Sequence, residues 1–159
     1  MAMTAFLKID GIEGESKDDK HAKQIEILSY SQGVAQAGSF GKDGKMTNAS
    51  AQFGDFSIMK NIDKTSPLIA EYCCSGKKIN TVILEICAMA DGKMLPFMKY
   101  ELAPALISSV QQSGSSDTPV ESVAFHYHTL KWEFTPYDDQ KAGDAVRSGW
   151  DIGANKKLG

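Results

Sequence analysis

The chain has 159 residues, of which 42% are hydrophobic and 23% charged, and its formal net charge is −3 at pH 7. A chain of this length forms one domain and buries roughly 68–70% of its unfolded surface without needing a disulfide or a metal. The slight acidity excludes a basic stripe for nucleic acid, and no apolar run approaches the ~20 residues of a membrane span. We therefore predict a single domain over residues 1–159 that neither binds nucleic acid nor enters a membrane.

The start of the chain and its three cysteines bear on its compartment. Met1 to Leu7 lacks both a basic segment and a long apolar segment, so we expect no signal peptide. Cys73, Cys74 and Cys87 have neither metal-binding nor redox spacing. We expect three reduced, mostly buried thiols in a cytosolic fold.

The first third of the chain follows a period of two, which is typical of strands. Ala5 to Asp10 predicts one strand, and a second, longer strand begins near Gln24 and extends to Ala35. Gln36 to Ala51 has few large apolar residues and predicts a long, mobile loop, and loops of this length are often functional. Strand character returns from Gln52 to Met59.

One short helix is well signalled. Ser66 supplies an N-cap hydroxyl and Pro67 suits the first helical position, where its missing N–H costs nothing. An apolar stripe follows, formed by Leu68, Ile69, Tyr72 and Cys73. Gly76 predicts the C-terminal end of the helix. Such a short helix must pack its stripe against a sheet to be stable.

Strands then follow one another without further helices. Ile79 to Ala88 predicts a strand, and Asp91-Gly92 predicts a tight hairpin turn because both central positions of a type I′ turn need a positive φ. Lys93 to Leu102 returns antiparallel, with Pro96 at an edge or a bulge. Ala105 to Gln112 predicts another strand.

The segment from Val120 to Thr135 contains an irregularity. Its apolar side chains lie at odd positions in the first half and at even positions in the second: Val123, Phe125, Tyr127, then Leu130, Trp132, Phe134. A β-bulge near His128–Thr129 would keep both sets facing the core. Residues 136–148 predict a second polar loop, and residues 149–152 a final strand. The many strands and the absence of a βαβ rhythm predict an all-β, mainly antiparallel barrel or sandwich.

No residue pattern predicts catalysis. His126 and His128 could begin a zinc site, but a third ligand is required and no further His or Cys lies nearby in sequence. Cys73 or Cys74 could act as a nucleophile only if the fold brought either one to a histidine. A hydrolase that uses a cysteine or a metal therefore remains only a minor alternative.

Several segments together resemble the Hcp family, the hemolysin-coregulated proteins of the type VI secretion system. They occur in family order over nearly the whole chain: Phe6 to Ser16, Asp18-Asp19-Lys20-His21, Ile62-Asp63-Lys64 leading to Ser66-Pro67-Leu68, Ser75-Gly76-Lys77, Ser108-Ser109-Val110, Thr118 to Val123, Gly149-Trp150-Asp151-Ile152 and Asn155-Lys156-Lys157. Each segment alone is weak, and the set is specific.

The resemblance implies a compact β-barrel of two sheets with one short flanking α-helix, similar to phage tail-tube proteins. It also implies a structural role without enzymatic activity or cofactor: homo-hexameric rings stack into an injected tube inside a contractile sheath. A VgrG-like spike caps the tube, and the rings carry and chaperone secreted effectors in their lumen. The protein would reside in the bacterial cytoplasm before firing and then be secreted by the type VI machinery.

Two sets of residues are candidates for these roles. Ser31 is our candidate for a position that faces the lumen and its cargo, because a small polar residue suits a wall that faces water. The candidates for ring stacking lie in the glycine-rich loop, namely Gly38, Ser39, Phe40, Gly41, Lys42, Asp43 and Gly44. The alternative function is a small-ligand-binding β-barrel without an assembly role, which requires an enclosed cavity.

Overall fold

The computed structural model describes residues 3–158, which form fifteen strands and one helix. The helix, α1, spans Ser66–Ser75. The strands are β1 Met3–Ile9, β2 Ile25–Ile27, β3 Ser29–Ser31, β4 Val34–Ala35, β5 Ser39–Phe40, β6 Met46–Thr47, β7 Gln52–Phe53, β8 Phe56–Asn61, β9 Val82–Ala90, β10 Lys93–Ser113, β11 Val120–Phe134, β12 Tyr137–Asp138, β13 Lys141–Ala142, β14 Val146–Asp151 and β15 Lys156–Lys157. The prediction of an all-β, antiparallel fold with one short helix is confirmed.

The main strands pair in a circuit, as a barrel requires. The ladder runs from β2 through β1, β9, β10 and β11 to β8, and β8 pairs with β3. The circuit is completed at Leu28, the one residue between β2 and β3, whose N–H donates to the carbonyl of Met59 at 2.7 Å. The predicted continuous strand over 24–35 is therefore wrong in detail, because the chain changes its pairing partner at Leu28.

The interior of this circuit is filled by apolar side chains. The largest of those that are fully buried are Phe56, Phe125, Leu7, Ile9, Ile25 and Ile58. They belong to β1, β2, β8 and β11. Alternate residues of a strand point to the same side, and in these strands that side is the interior. Ile69 of α1, which is 0% exposed, adds to the same core.

The helix packs against the sheet, as expected, and its partner there is β10. The start of the helix differs from the prediction. Thr65 is the N-cap residue, and Ser66 is the first helical residue. Ser66 is not free to cap because its Oγ accepts from the N–H of Asp63 at 3.1 Å and donates to Glu121 at 3.0 Å. Gly76 ends the helix in the left-handed conformation, as predicted, with φ of 64°.

Strands β10 and β11 account for the predicted irregularity in another way. Apolar residues do change sides between Tyr127 and Leu130, but β10 and β11 stay in register there. Strand β10 changes sides in the same region, because Leu102 is buried at an even position and Ile107 at an odd one. The only register shift between these two strands lies between Ile107 and Ser109. The predicted bulge near His128–Thr129 is therefore wrong, and the extra residue is Ser108 of β10.

Of the other local predictions, some are confirmed and others are wrong. Asp91 and Gly92 have φ of 48° and 76°, so the predicted tight turn is confirmed, and Pro96 lies at a register shift between β9 and β10. β10 is a single strand of 21 residues where two were expected. The predicted polar loop over 136–148 contains the hairpin of β12 and β13, and β14 begins within it.

A buried ion pair fixes the junction of sheet and helix. Lys60 of β8 and Glu121 of β11 are both 0% exposed, and the Lys60 ammonium donates to a Glu121 carboxylate oxygen at 2.6 Å. The ammonium also donates to Asp63 at 3.1 Å, and Gln112 donates to the second Glu121 oxygen at 3.0 Å. With these partners both charges are hydrogen-bonded, as burial demands.

Candidate assembly and cargo surfaces

The exposed side of β3, β8, β11 and β10 forms a flat surface of small, uncharged side chains, which we call the serine face. Register aligns its residues in three rows across the strands: Ser31, Ser57, Ala124, Ser109; Ser29, Met59, Ser122, Gln111; and Asn61, Val120, Ser113. None of these eleven residues carries a charge. The alternation of each strand creates the face, because the intervening residues point into the core.

Ser31 lies at the edge of the serine face. It is exposed and pairs with Ser57 of β8, while its neighbour Tyr30 packs against the core. Met59, at 40% exposure, is the one exposed large apolar side chain within the rows. A protein partner that meets this surface would find hydroxyl groups, methyl groups and one flexible thioether, which adapts to varied partners.

The border of the serine face carries a polar cluster. His126 Nδ1 lies 2.6 Å from Asp55 Oδ1, and Ser108 donates to Asp55 Oδ2 at 2.9 Å. The carboxylate therefore lies between the serine and the histidine, so the imidazole cannot take a proton from Ser108. His128 contacts a different carboxylate, that of Asp151, at 3.3 Å.

The predicted loop over 36–51 is a protruding hairpin, which we call the arm. Its strands are β5 and β6, which pair only with each other, and the turn is closed by a bond from Gly41 N–H to the Lys45 carbonyl at 2.8 Å. Phe40 and Met46 lie opposite each other and are 74% and 61% exposed. The predicted stacking residues Gly38 to Gly44 thus form one half of the arm and its turn. The expectation that this segment lacks secondary structure is wrong.

The other exposed sheet surface has the opposite chemistry. One row across β9, β10, β11 and β14 alternates in charge: Glu85, Lys99, Glu133 and Arg147. Arg147 Nε donates to Glu133 at 2.9 Å. The two sheet surfaces of the molecule are therefore distinct, one uncharged and one charged.

The charged surface contains a pocket that is open to solvent and lined by Lys99, Glu133 and Arg147 among others, so it is not the enclosed cavity of a ligand-binding barrel. Among residues 3–158, no group of three His, Cys, Asp or Glu side chains is placed to hold a metal ion. The space inside the strand circuit is occupied by the apolar core, whereas a ligand-binding barrel needs room within it. Within the same residues, no helix has both the length and the apolar character that crossing a membrane requires.

The three thiols differ in environment. Cys87 is buried, Cys73 is half-buried and Cys74 is exposed, so the expectation of burial is wrong for Cys74. Burial, with the nearby carboxylates of Glu85 and Asp18, raises the pKa of the Cys87 thiol to about 11. Cys87 is therefore protonated and unreactive at neutral pH.

The sequence singled out Ser31 and the arm as candidates, and these assignments stay predictions. It did not reveal the rows of the serine face or the buried ion pair. The rows depend on which strands pair, and that is not visible in one strand alone. The ion pair had a readable signal. Lys60 continues the inward series of Phe56 and Ile58, and Glu121 precedes the inward Val123 and Phe125, so each charge lies at a core position.

Comparison with known proteins identifies the class. Residues 6–134 match the family model described as "Type VI secretion system effector, Hcp". Protein hcp1 of Pseudomonas aeruginosa strain PAO1 is 33% identical over 159 residues, which cover 98% of this chain and 98% of that protein. The chain belongs to the Hcp family and is a type VI secretion system protein.

Solved structures agree with this assignment. A structure described as that of a type six secretion system protein superposes with a TM-score of 0.91 at 32% identity, covering 99% of this chain and 100% of the other. Hcp1 from Salmonella typhimurium gives 0.82 at 33% identity, with the same coverage. The cap that terminates the tube of the anti-feeding prophage shares the fold, with a TM-score of 0.53 at 9% identity over 82% of this chain and 87% of that one.

Proposed function

We propose that this chain is the building block of the type VI secretion tube: six copies close into a ring, rings stack into the tube, and effectors travel in the lumen. The observation that carries the proposal is the serine face. A wall past which different proteins must slide is best made of small, uncharged groups, because a charged wall would attract some cargoes and repel others. Ser31 and the serine rows line the lumen in this proposal.

Ring closure needs two different patches on each copy that fit one another. Such a head-to-tail contact closes into a ring only when a whole number of rotations from one copy to the next makes a full turn. The ladder of β14 and β15, which branches from β11 and is not part of the circuit, makes the flanks of each copy different. The charged row through Lys99 and Glu133 then faces outward, where a contractile sheath surrounds the tube.

The arm provides the contact between rings. Phe40 and Met46 leave most of their apolar surface in water in the isolated chain. The area that two such side chains can bury is far below the ~800 Å² per partner that a stable interface buries. We therefore expect weak stacking between rings and stronger contacts within each ring, with many arms acting together along a tube.

The remaining parts of the proposal follow from family membership. A VgrG-like spike caps the tube, and the lumen chaperones secreted effectors. The protein waits in the bacterial cytoplasm and leaves through the type VI machinery. It acts as a single structural unit and not as an enzyme, and it needs no cofactor.

Electron microscopy of site-specifically labelled particles tests the lumen assignment. In a background with Cys73→Ser and Cys74→Ser, we would label Ser31→Cys with a maleimide-coupled gold cluster. The proposal expects annular particles with gold inside the hole. The matched control, Lys131→Cys on the charged sheet surface, places gold on the outer rim. Gold on the outer rim for Ser31→Cys would overturn the lumen assignment, and failure of the unlabelled protein to form annuli would overturn the ring itself.

A further inference from the structure

The segment 11–24 between β1 and β2 covers part of the outer surface of the sheet. Phe6 and Cys87 point outward, since their neighbours in β1 and β9 fill the core, yet they are only 2% and 0% exposed. His21, itself 2% exposed, stacks on Phe6 with ring centroids 4.2 Å apart and planes 6° apart. This segment therefore acts as a lid over a small apolar patch.

The lid is held to the sheet through both nitrogens of one imidazole. His21 Nδ1 lies 2.8 Å from Asp18 Oδ2, within the lid. His21 Nε2 lies 2.6 Å from Glu85 Oε2, on β9. A neutral imidazole has one N–H, so it can donate to only one of these carboxylates; the protonated ring donates to both. The geometry thus fits the cation, and charge-assisted bonds of this kind are strong.

We propose that His21 is a proton-operated clamp: its protonated ring bonds the lid to Glu85 over Phe6 and Cys87, and loss of the proton releases the lid. In the neutral ring one nitrogen presents a lone pair to a carboxylate, which replaces an attraction by a repulsion. The buried thiol of Cys87 then becomes accessible each time the lid opens.

The groups around the imidazole set the range over which the clamp works. Asp18 and Glu85 bond to the ring directly, and Glu26 of β2 lies opposite Phe6. Three further groups lie near Glu85 or Cys87, namely Lys20, Lys99 of β10 and Tyr137 of β12. The hydrogen bond from His21 lowers the pKa of Asp18 below its usual 3.8. Its stabilisation is therefore lost only as the pH falls through that lowered value, which is below the pH range over which the clamp is tested.

The rate of thiol modification at Cys87 tests the clamp, again with Cys73→Ser and Cys74→Ser in the full chain. We compare Glu85→Gln with the parent from pH 6 to pH 9 and divide each rate by that of the same protein in denaturant, where no lid exists, because the Glu85 carboxylate itself raises the pKa of the Cys87 thiol. The ratio of the two normalised rates then reports the opening of the lid. We expect Glu85→Gln to react about tenfold faster or more at pH 6, because it loses a charge-assisted bond. The ratio should fall toward one at pH 9, where the parent lid is also released.

Asp117→Asn is the matched control for the loss of one negative charge, because Asp117 is exposed, lies in the loop between β10 and β11 and is not among the groups around the imidazole. Its ratio should stay near one at every pH. A ratio for Glu85→Gln that does not depend on pH would overturn the proposal. An independent measurement on the unmodified protein is the ¹⁵N–¹H spectrum of the His21 ring. Two protonated ring nitrogens at pH 6 support the clamp, and a neutral ring at that pH contradicts it.

Discussion

At the scale of single residues, the Lys60–Glu121 pair is the most consequential charge contact in the core. Both side chains are fully buried, and their bonds reach β8, β10, β11 and the start of α1. Removing two ions from water is costly, so such a pair adds little net stability as a whole. A conformation in which one of the two charges is buried without the other is strongly disfavoured. The pair thereby fixes how the helix meets the sheet.

The first prediction concerns this pair. Glu121→Leu should lower the free energy of unfolding by about 3–5 kcal/mol, because Lys60 is left buried without its partner. Lys60→Met together with Glu121→Leu should recover most of that loss, since the one carboxylate that loses Lys60, that of Asp63, is partly exposed and still accepts hydrogen bonds from Thr65. Denaturant unfolding measures both values. Glu133→Leu is the control, since its partner Arg147 has a side chain that is 68% exposed and such pairs contribute about 1 kcal/mol or less. A double variant as unstable as Glu121→Leu would contradict this account.

At the scale of elements, the arm has no strand pairing with the main sheet. Its two strands pair only with each other. Its apolar pair, Phe40 and Met46, contributes little to the stability of the isolated chain because most of its surface stays in water. In the proposed tube, another copy of the chain covers this apolar pair and removes it from water.

The second prediction follows for the arm. Phe40→Ser with Met46→Ser should change the unfolding free energy by no more than about 0.5 kcal/mol, as exposed substitutions do. Rings should keep their mass, and tubes seen by electron microscopy at high protein concentration should disappear. Lys42→Ser, in the same turn, should leave tubes intact. Tubes that persist in the double variant would show that stacking uses another surface.

The same scale explains which elements the sequence could predict. The Asp91-Gly92 turn and the end of α1 at Gly76 depend on local backbone chemistry, so local residues sufficed. The break at Leu28 and the extra residue at Ser108 depend on which strands lie alongside, and a single sequence does not contain that information. For the same reason Ser31 was found as one position, whereas the rows that surround it required the register of four strands.

At the scale of the whole molecule, the two sheet surfaces differ in charge, as the proposed lumen and outer wall require. The serine face carries no charge, and the opposite surface alternates Glu85, Lys99, Glu133 and Arg147. A tube needs such a difference between inside and outside, because its lumen must release what it carries while its outer wall must be held. Distinct surfaces on one small chain thus suit a closed, head-to-tail assembly.

The most direct test of ring formation is the mass of the protein in solution, measured by size-exclusion chromatography with light scattering. We expect a dominant species of six times the 17.3 kDa chain mass, which appears as annular particles under the electron microscope. A single species of one chain mass at every micromolar concentration would contradict the account.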